Sequence, residues 1–190
     1  MKSPSGTSVA HHTSDPPGGS GLRDYFRTLA RYHVWATRKL AGHIDALSEA
    51  DYRRDVGLFF RSVHGTCNHL LVAEHRLWYA RFAEGRSESA DLAEEIEPDR
   101  DRLRERLVDA AERWPVLIDH LAESRFGSSL DYTTTRGIAQ SLPFAPTLGH
   151  VFNHATHHRG QTTAAITAMG YPCPEIDMVW MLQEESRAGR

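Results

Sequence analysis

Apolar residues recur at intervals of three and four over four long stretches of this chain, a pattern typical of amphipathic helices. The predicted helices span 22–47, 59–84, 98–124 and 145–169. Pro115 is the one proline well inside these stretches, and it predicts a kink or an interruption of the third helix. Four long helices with little strand make an all-α four-helix bundle the expected fold class.

A small β-hairpin is predicted just before the last long helix. Segments 130–135 and 138–142, the first rich in threonine, flank the dipeptide Arg136-Gly137. Such a composition around a glycine turn favours two short strands, and an extended loop is the alternative. The acidic connection 86–97 is longer than a tight turn between antiparallel helices requires.

The chain divides into one domain and two tails. Residues 1–21 are rich in Ser, Pro, Gly and Thr and should form a disordered tail, in which His11 and His12 give at most adventitious metal binding. Residues 22–182 are predicted to form the bundle, and 183–190 a polar C-terminal tail. A chain of 190 residues has about the length of one domain.

Composition argues against several classes of partner. The net charge of −3 gives no bulk electrostatic reason to bind nucleic acid or an anionic membrane. We find no apolar run of about 18 residues and no signal-peptide pattern, so no membrane association is expected. Cys67 and Cys173 fit neither a disulfide framework nor a zinc finger, which favours a cytoplasmic protein with free thiols.

The richest motif is a stripe of histidines in the last long helix. His150, His154 and His158 recur every four residues, so they share one helical face. Neutral imidazole is the commonest metal ligand in proteins. Ala155 follows His154, so the glutamate of the H-E-x-x-H motif is missing and that hydrolytic mechanism is not supported.

The residues alone leave the ligand set open. Three pairings compete, namely 150 with 154, 154 with 158, or a looser use of His157, and a third ligand must come from another helix. The second helix offers His64, His69 and His75, and His69 has the smallest neighbours along its face: Gly65, Thr66 and Ala73. The competing interpretation is that these histidines are ordinary hydrogen-bonded or surface residues.

Two segments resemble the DinB/YfiT-like family, which is distinct from the translesion polymerase that shares the name. Residues 62–78 read S-x-H-x-T-x-N-H-L-x-x-x-E-x-x-x-W, and 153–161 read N-H-x-x-H-H-R-G-Q. The resemblance implies a bundle with a crossover connection, often a homodimer, and a divalent metal ion held by His69, His154 and His158. His150 then becomes a pocket residue and the closest rival ligand. Imidazole is a suitable ligand for Zn, Ni and Fe alike, so the sequence does not identify the ion.

The resemblance also implies an activity. Characterised relatives include metal-dependent S-transferases for low-molecular-weight thiols, a thiol-dependent isomerase and hydrolases. Three neutral imidazoles leave a coordination position open for a water or a thiol, as catalytic sites do. We therefore expect a transferase or hydrolase acting on a small molecule; the alternative is a non-catalytic, stress-associated metal- or ligand-binding bundle. No residue stands out as a general acid or base.

Several residues are candidates for supporting roles. Residues that could orient the imidazoles are Asn68, Glu74, Asn153 and Gln161. Glu74-His75 stands where relatives often carry an aspartate and an apolar residue. Trp78 and Tyr132 could line the pocket.

Overall fold

Four long helices dominate the fold, as the periodicity predicts. The computed structural model describes residues 21–189, so residues 1–20 of the tail expected over 1–21 lie outside the described part, and Gly21 begins the first helix. The long helices are α1 (Gly21–Ile44), α3 (Val63–Leu70) continued by a π-helical segment (Leu71–Glu84), α4 (Arg100–His120) and α5 (Phe144–Ala168). The shorter elements are α2 (Glu49–Arg53), a 3₁₀ turn (Glu123–Gly127), β1 (Ser129–Thr133), β2 (Ala139–Pro143) and α6 (Met178–Ala188).

The helices pack in an order that differs from their order in the chain. Helix α1 packs against α4 and α5, and α3 with its π-helical continuation also packs against α4 and α5. Helices α1 and α3 therefore lie on one diagonal of the bundle, and α4 and α5 on the other. Both diagonals are crossed by long connections, 45–62 and 121–143, which confirms the expected crossover topology.

The predicted hairpin is present and is anchored on the bundle. Strands β1 and β2 pair antiparallel from Ser129 opposite Pro143 to Thr133 opposite Ala139. Leu130 is buried in a core cluster that also contains Phe126 and Phe144. This contact supplies the packing that a two-stranded hairpin needs to be stable.

A buried polar layer separates the core into two apolar ends. One end contains Leu40 and Ile166, and the other contains Phe26 and Trp114. At intermediate positions along their helices lie buried polar side chains: His33 of α1, Glu74 of the π-helical segment and Arg159 of α5. Burying charged groups costs free energy that apolar residues would not cost, so this layer points to a role beyond packing.

Three local features differ from expectation. The second long helix begins at Val63, capped by Ser62, so Phe59 and Phe60 lie in a turn before it. Helix α4 continues through Pro115 to His120 without interruption. Helix α6 extends to Ala188, so the polar residues expected as a tail are largely helical. None of the described helices combines the length and the apolar character needed to cross a bilayer.

Candidate metal centre

Three imidazoles converge where α3 packs against α5. The Nε2 atom of His154 lies 3.2 Å from Nε2 of His69 and 3.1 Å from Nε2 of His158. The i,i+4 spacing places His154 and His158 on one face of α5, and the contact between α3 and α5 brings His69 opposite them. The structure thus brings together the three residues that the sequence resemblance selects.

Each of these imidazoles has an oxygen acceptor at its other ring nitrogen. Nδ1 of His69 lies 2.8 Å from the carbonyl oxygen of Leu92, and Nδ1 of His158 lies 2.8 Å from Oε1 of Gln161. Nδ1 of His154 lies 3.3 Å from Oε1 of Glu74. Because an acceptor at Nδ1 keeps the proton there, the three Nε2 lone pairs all point to a common centre.

The convergence of three lone pairs fits a cation between them. Two unprotonated nitrogens in close contact repel each other and share no hydrogen bond. Around a tetrahedral zinc ion with Zn–N bonds of about 2.0–2.1 Å, two nitrogens lie about 3.3 Å apart, which is close to the observed separations. Three neutral imidazoles therefore fit a divalent ion such as Zn, Ni or Fe.

Burial keeps two of these imidazoles neutral. It lowers the pKa of His69 to about 4, with a smaller contribution from the neighbouring His154. It likewise lowers the pKa of His158 to about 4, again assisted by His154 and His69. Both rings are therefore deprotonated at neutral pH, as metal ligation requires.

The acceptor for His69 comes from the polar connection between the π-helical segment and α4. Asn68 fixes this connection: its Oδ1 accepts from the backbone N–H of Glu97 at 2.9 Å, and its Nδ2 donates to the carbonyl of Glu97 at 3.1 Å. Asn68 thus supports the site through the connection and has no direct bond to the triad. The role of Leu92 was not predicted, because a backbone carbonyl leaves no signal in the side-chain pattern.

Phe60 covers one side of the triad. Its ring stacks on that of His69 with centroids 3.7 Å apart and an interplanar angle of 15°, and it lies 5.7 Å from the ring of His158. The neighbouring Phe59 is 81% exposed. The sequence pattern placed both phenylalanines in a helix, so this aromatic cover was missed.

The remaining candidates take different places. His150, the closest rival, is exposed and packs edge-on against Trp78 at 5.4 Å, with its ring 5.7 Å from that of His154. It belongs to no potential ligand cluster of the described residues. His157 is exposed and contacts the ring of His158. Glu74 and Gln161 bond directly to triad imidazoles, whereas Asn153 has no hydrogen bond to them.

The fold and the converging histidines place this chain in a class of four-helix bundles with crossover connections and a histidine cluster between two helices. Comparison with known proteins gives the family. The chain belongs to the DinB family, whose model matches residues 20–188. This membership agrees with the resemblance of its two histidine motifs.

Two proteins from Bacillus subtilis are similar to this chain. Protein DinB is 26% identical over 170 residues, which cover 82% of this chain and 92% of that protein. The structure of YfiT, described as a probable metal-dependent hydrolase with an unusual four-helix bundle topology, superposes with a TM-score of 0.64 at 16% identity. That match covers 86% of this chain and 97% of YfiT, and it establishes the shared fold.

Proposed function

We propose that this protein is a divalent-metal-dependent enzyme acting on a small molecule, with His69, His154 and His158 as the ligands. The observation that carries the proposal is the convergence of three Nε2 atoms whose imidazoles all have an acceptor at Nδ1. Membership of the DinB family and the description of YfiT as a probable metal-dependent hydrolase support it.

The bound ion would supply Lewis acidity at a position that the three imidazoles leave open. The protein supplies the geometry. Leu92, Glu74 and Gln161 fix the ring orientations, and Phe60 excludes water from the His69 side. The side chain of His154 is 18% exposed, which makes it the triad member most open to an incoming molecule.

For the reaction, we propose hydrolysis or transfer to a low-molecular-weight thiol. Burial raises the pKa of the Cys67 thiol to about 12, so this cysteine is no source of thiolate at neutral pH. Cys173 donates instead to the carbonyl of Thr163. A thiol reactant would therefore be a separate molecule. A cytoplasmic homodimer is part of the same proposal, and light scattering tests the dimer.

Metal analysis of the untagged protein tests the proposal. We expect about one divalent ion per chain, lost in His69→Ala and kept in the control His120→Ala, which changes an exposed histidine. Full retention of metal by His69→Ala would show that the ligand set is wrong.

Activity is tested with the metal-loaded protein. Activated esters and amides report hydrolysis, and electrophiles with and without added thiols report transfer. Metal-dependent turnover in either assay is the expected result. Stoichiometric metal without turnover in any of these assays would instead favour the non-catalytic binding bundle.

A further inference from the structure

A small cavity borders the polar layer and extends into the apolar end of the core that contains Leu40. It has a volume of about 30 Å³, and its lining includes His33, Glu74, His75 and Arg159. A buried water needs roughly 10–15 Å³ measured in this way and two to four polar partners. The cavity is therefore large enough for one or two water molecules.

Several lining residues turn unpaired polar atoms toward the protein interior. Nε2 of His33, Nδ1 of His75 and Nε of Arg159 are buried without a hydrogen-bond partner from the protein. Native proteins seldom leave such atoms unpaired, and ordered water is a common partner. The unpaired atoms lie on the polar side of the cavity, so water is the occupant that both the space and the polar partners on that side suit.

Arg159 determines where His33 carries its proton. Nη1 of Arg159 lies 3.0 Å from Nδ1 of His33. A guanidinium only donates, so Nδ1 accepts and the proton of the neutral ring is on Nε2. Nε2 lies 3.7 Å from Oε2 of Glu74, which is too long for a direct hydrogen bond and suits a bridging water.

The same proton position argues against a second metal ion. His33, Glu74 and His75 each offer an atom within 4.8 Å of the others, so they form a possible ligand cluster. A protonated Nε2 has no lone pair for a metal, and the Arg159 guanidinium beside His33 repels a cation. The three atoms lie close enough together for a single water molecule between them to reach each one.

We infer that a buried water bridges His33, Glu74 and His75, and that His33 and Arg159 are thereby positioning residues for the metal ligand His154. The water accepts from Nε2–H of His33 and donates to Oε2 of Glu74 and Nδ1 of His75. Glu74 is then held at both oxygens, because its Oε1 accepts from His154. This inference rests on the proposed function in treating His154 as a ligand.

Titration of the full-length protein with Co²⁺ tests the inference, using affinity and the visible absorption bands as readouts. His33→Phe and Arg159→Met should each bind Co²⁺ at least about tenfold more weakly and shift the bands, as loss of ligand-orienting groups does. The control is Arg81→Met. This variant removes another buried guanidinium, which stacks on the aromatic rings of Trp78 and Tyr132 and has no contact with His33 or Glu74. It should keep wild-type affinity for Co²⁺.

A conservative pair at one position separates this role from a general loss of stability. His33→Gln places an N–H donor near the position of Nε2 and should bind Co²⁺ within about threefold of wild type. His33→Asn reaches Arg159 but not the water, so it should bind as weakly as His33→Phe. This pair also decides the question if the larger substitutions do not fold.

The outcomes that oppose the inference are distinct. Wild-type affinity and spectra in His33→Phe, Arg159→Met and His33→Asn would overturn it while leaving the proposed function intact. Binding of two Co²⁺ ions per chain, one of them lost in His75→Gln, would replace the water by a metal. Failure of the wild-type protein to bind Co²⁺ at all would instead remove the proposed function on which the inference rests.

Discussion

The carbonyl oxygen of Phe60 occupies the space that a Cβ atom on Gly65 would need. The obstacle is backbone, which cannot rotate away as a flexible side chain can. The ring of Phe60 stacks on His69, so this close approach ties the turn before α3 to the triad. Glycine is therefore required at position 65 because of this close contact, and not because of a positive φ angle.

Gly65→Ala should therefore disturb both folding and metal binding. We expect a loss of about 1–3 kcal/mol in the free energy of unfolding, because the added methyl group forces the turn away from α3. Urea denaturation measures this loss, and a Co²⁺ titration should show weaker binding. The control is Gly42→Ala, where nothing lies within 4 Å and the helix should gain up to about 1 kcal/mol. Equal stabilities of the two variants would contradict the account.

Asn68→Ala should loosen the connection that positions Leu92. The change leaves the buried N–H and carbonyl of Glu97 without their partner, at a cost of about 1–3 kcal/mol. Amide hydrogen exchange should rise over residues 86–99, and metal affinity should fall because His69 loses its fixed acceptor. Ser87→Ala, which removes only an exposed bond to Thr133 in the same connection, is the control. Unchanged exchange in Asn68→Ala would show that the connection holds itself in place.

Removing the metal should lower the melting temperature. At a free-ion concentration about 100 times the dissociation constant, binding to the folded state alone adds about 2.7 kcal/mol. For a domain of this size that corresponds to about 5–10 °C. Differential scanning calorimetry with and without a chelator measures the shift. His158→Ala should melt at one temperature in both conditions, and a chelator-insensitive wild type would argue against a bound ion.

Acid should destabilise the metal-free protein partly through His75. Burial lowers the pKa of His75 to about 3, whereas an unfolded histidine titrates near 6.5. Between these values the unfolded state binds more protons, so stability falls as the pH drops below about 6.5. His75→Gln should lose less stability than wild type between pH 7 and pH 4.5, as measured by urea denaturation. Parallel losses in the two proteins would show that another group is responsible.

Local patterns predict most of the fold, because the periodicity of three and four reflects which faces are buried. The four long helices and the hairpin lie within a few residues of their predicted bounds. Residues predicted as a polar tail are helical in α6, where Glu184 pairs with Lys39 and Glu185 with Arg31 of α1, tertiary contacts that local patterning does not contain.

The candidate site, like the fold, is predicted from the sequence only in part. The motif resemblance selects His69, His154 and His158, which the structure brings together. It does not reveal Leu92, which acts through its carbonyl, or Phe60, which acts from a turn. Nor does spacing reveal that Arg159 meets His33, since that contact joins residues 126 positions apart. What depends on a backbone atom or on the packing of distant helices is not visible in local sequence.

The polar layer also fixes the axial register of the helices, that is, their positions along the bundle axis. In a bundle with a uniformly apolar interior, α5 could slide by one turn and still bury similar surface. Here a slide of four residues would move Arg159 into an apolar end of the core and break its contact with His33. A helix shifted in this way buries a charged guanidinium without its partner, so the charged layer favours one axial register of the helices over the shifted ones.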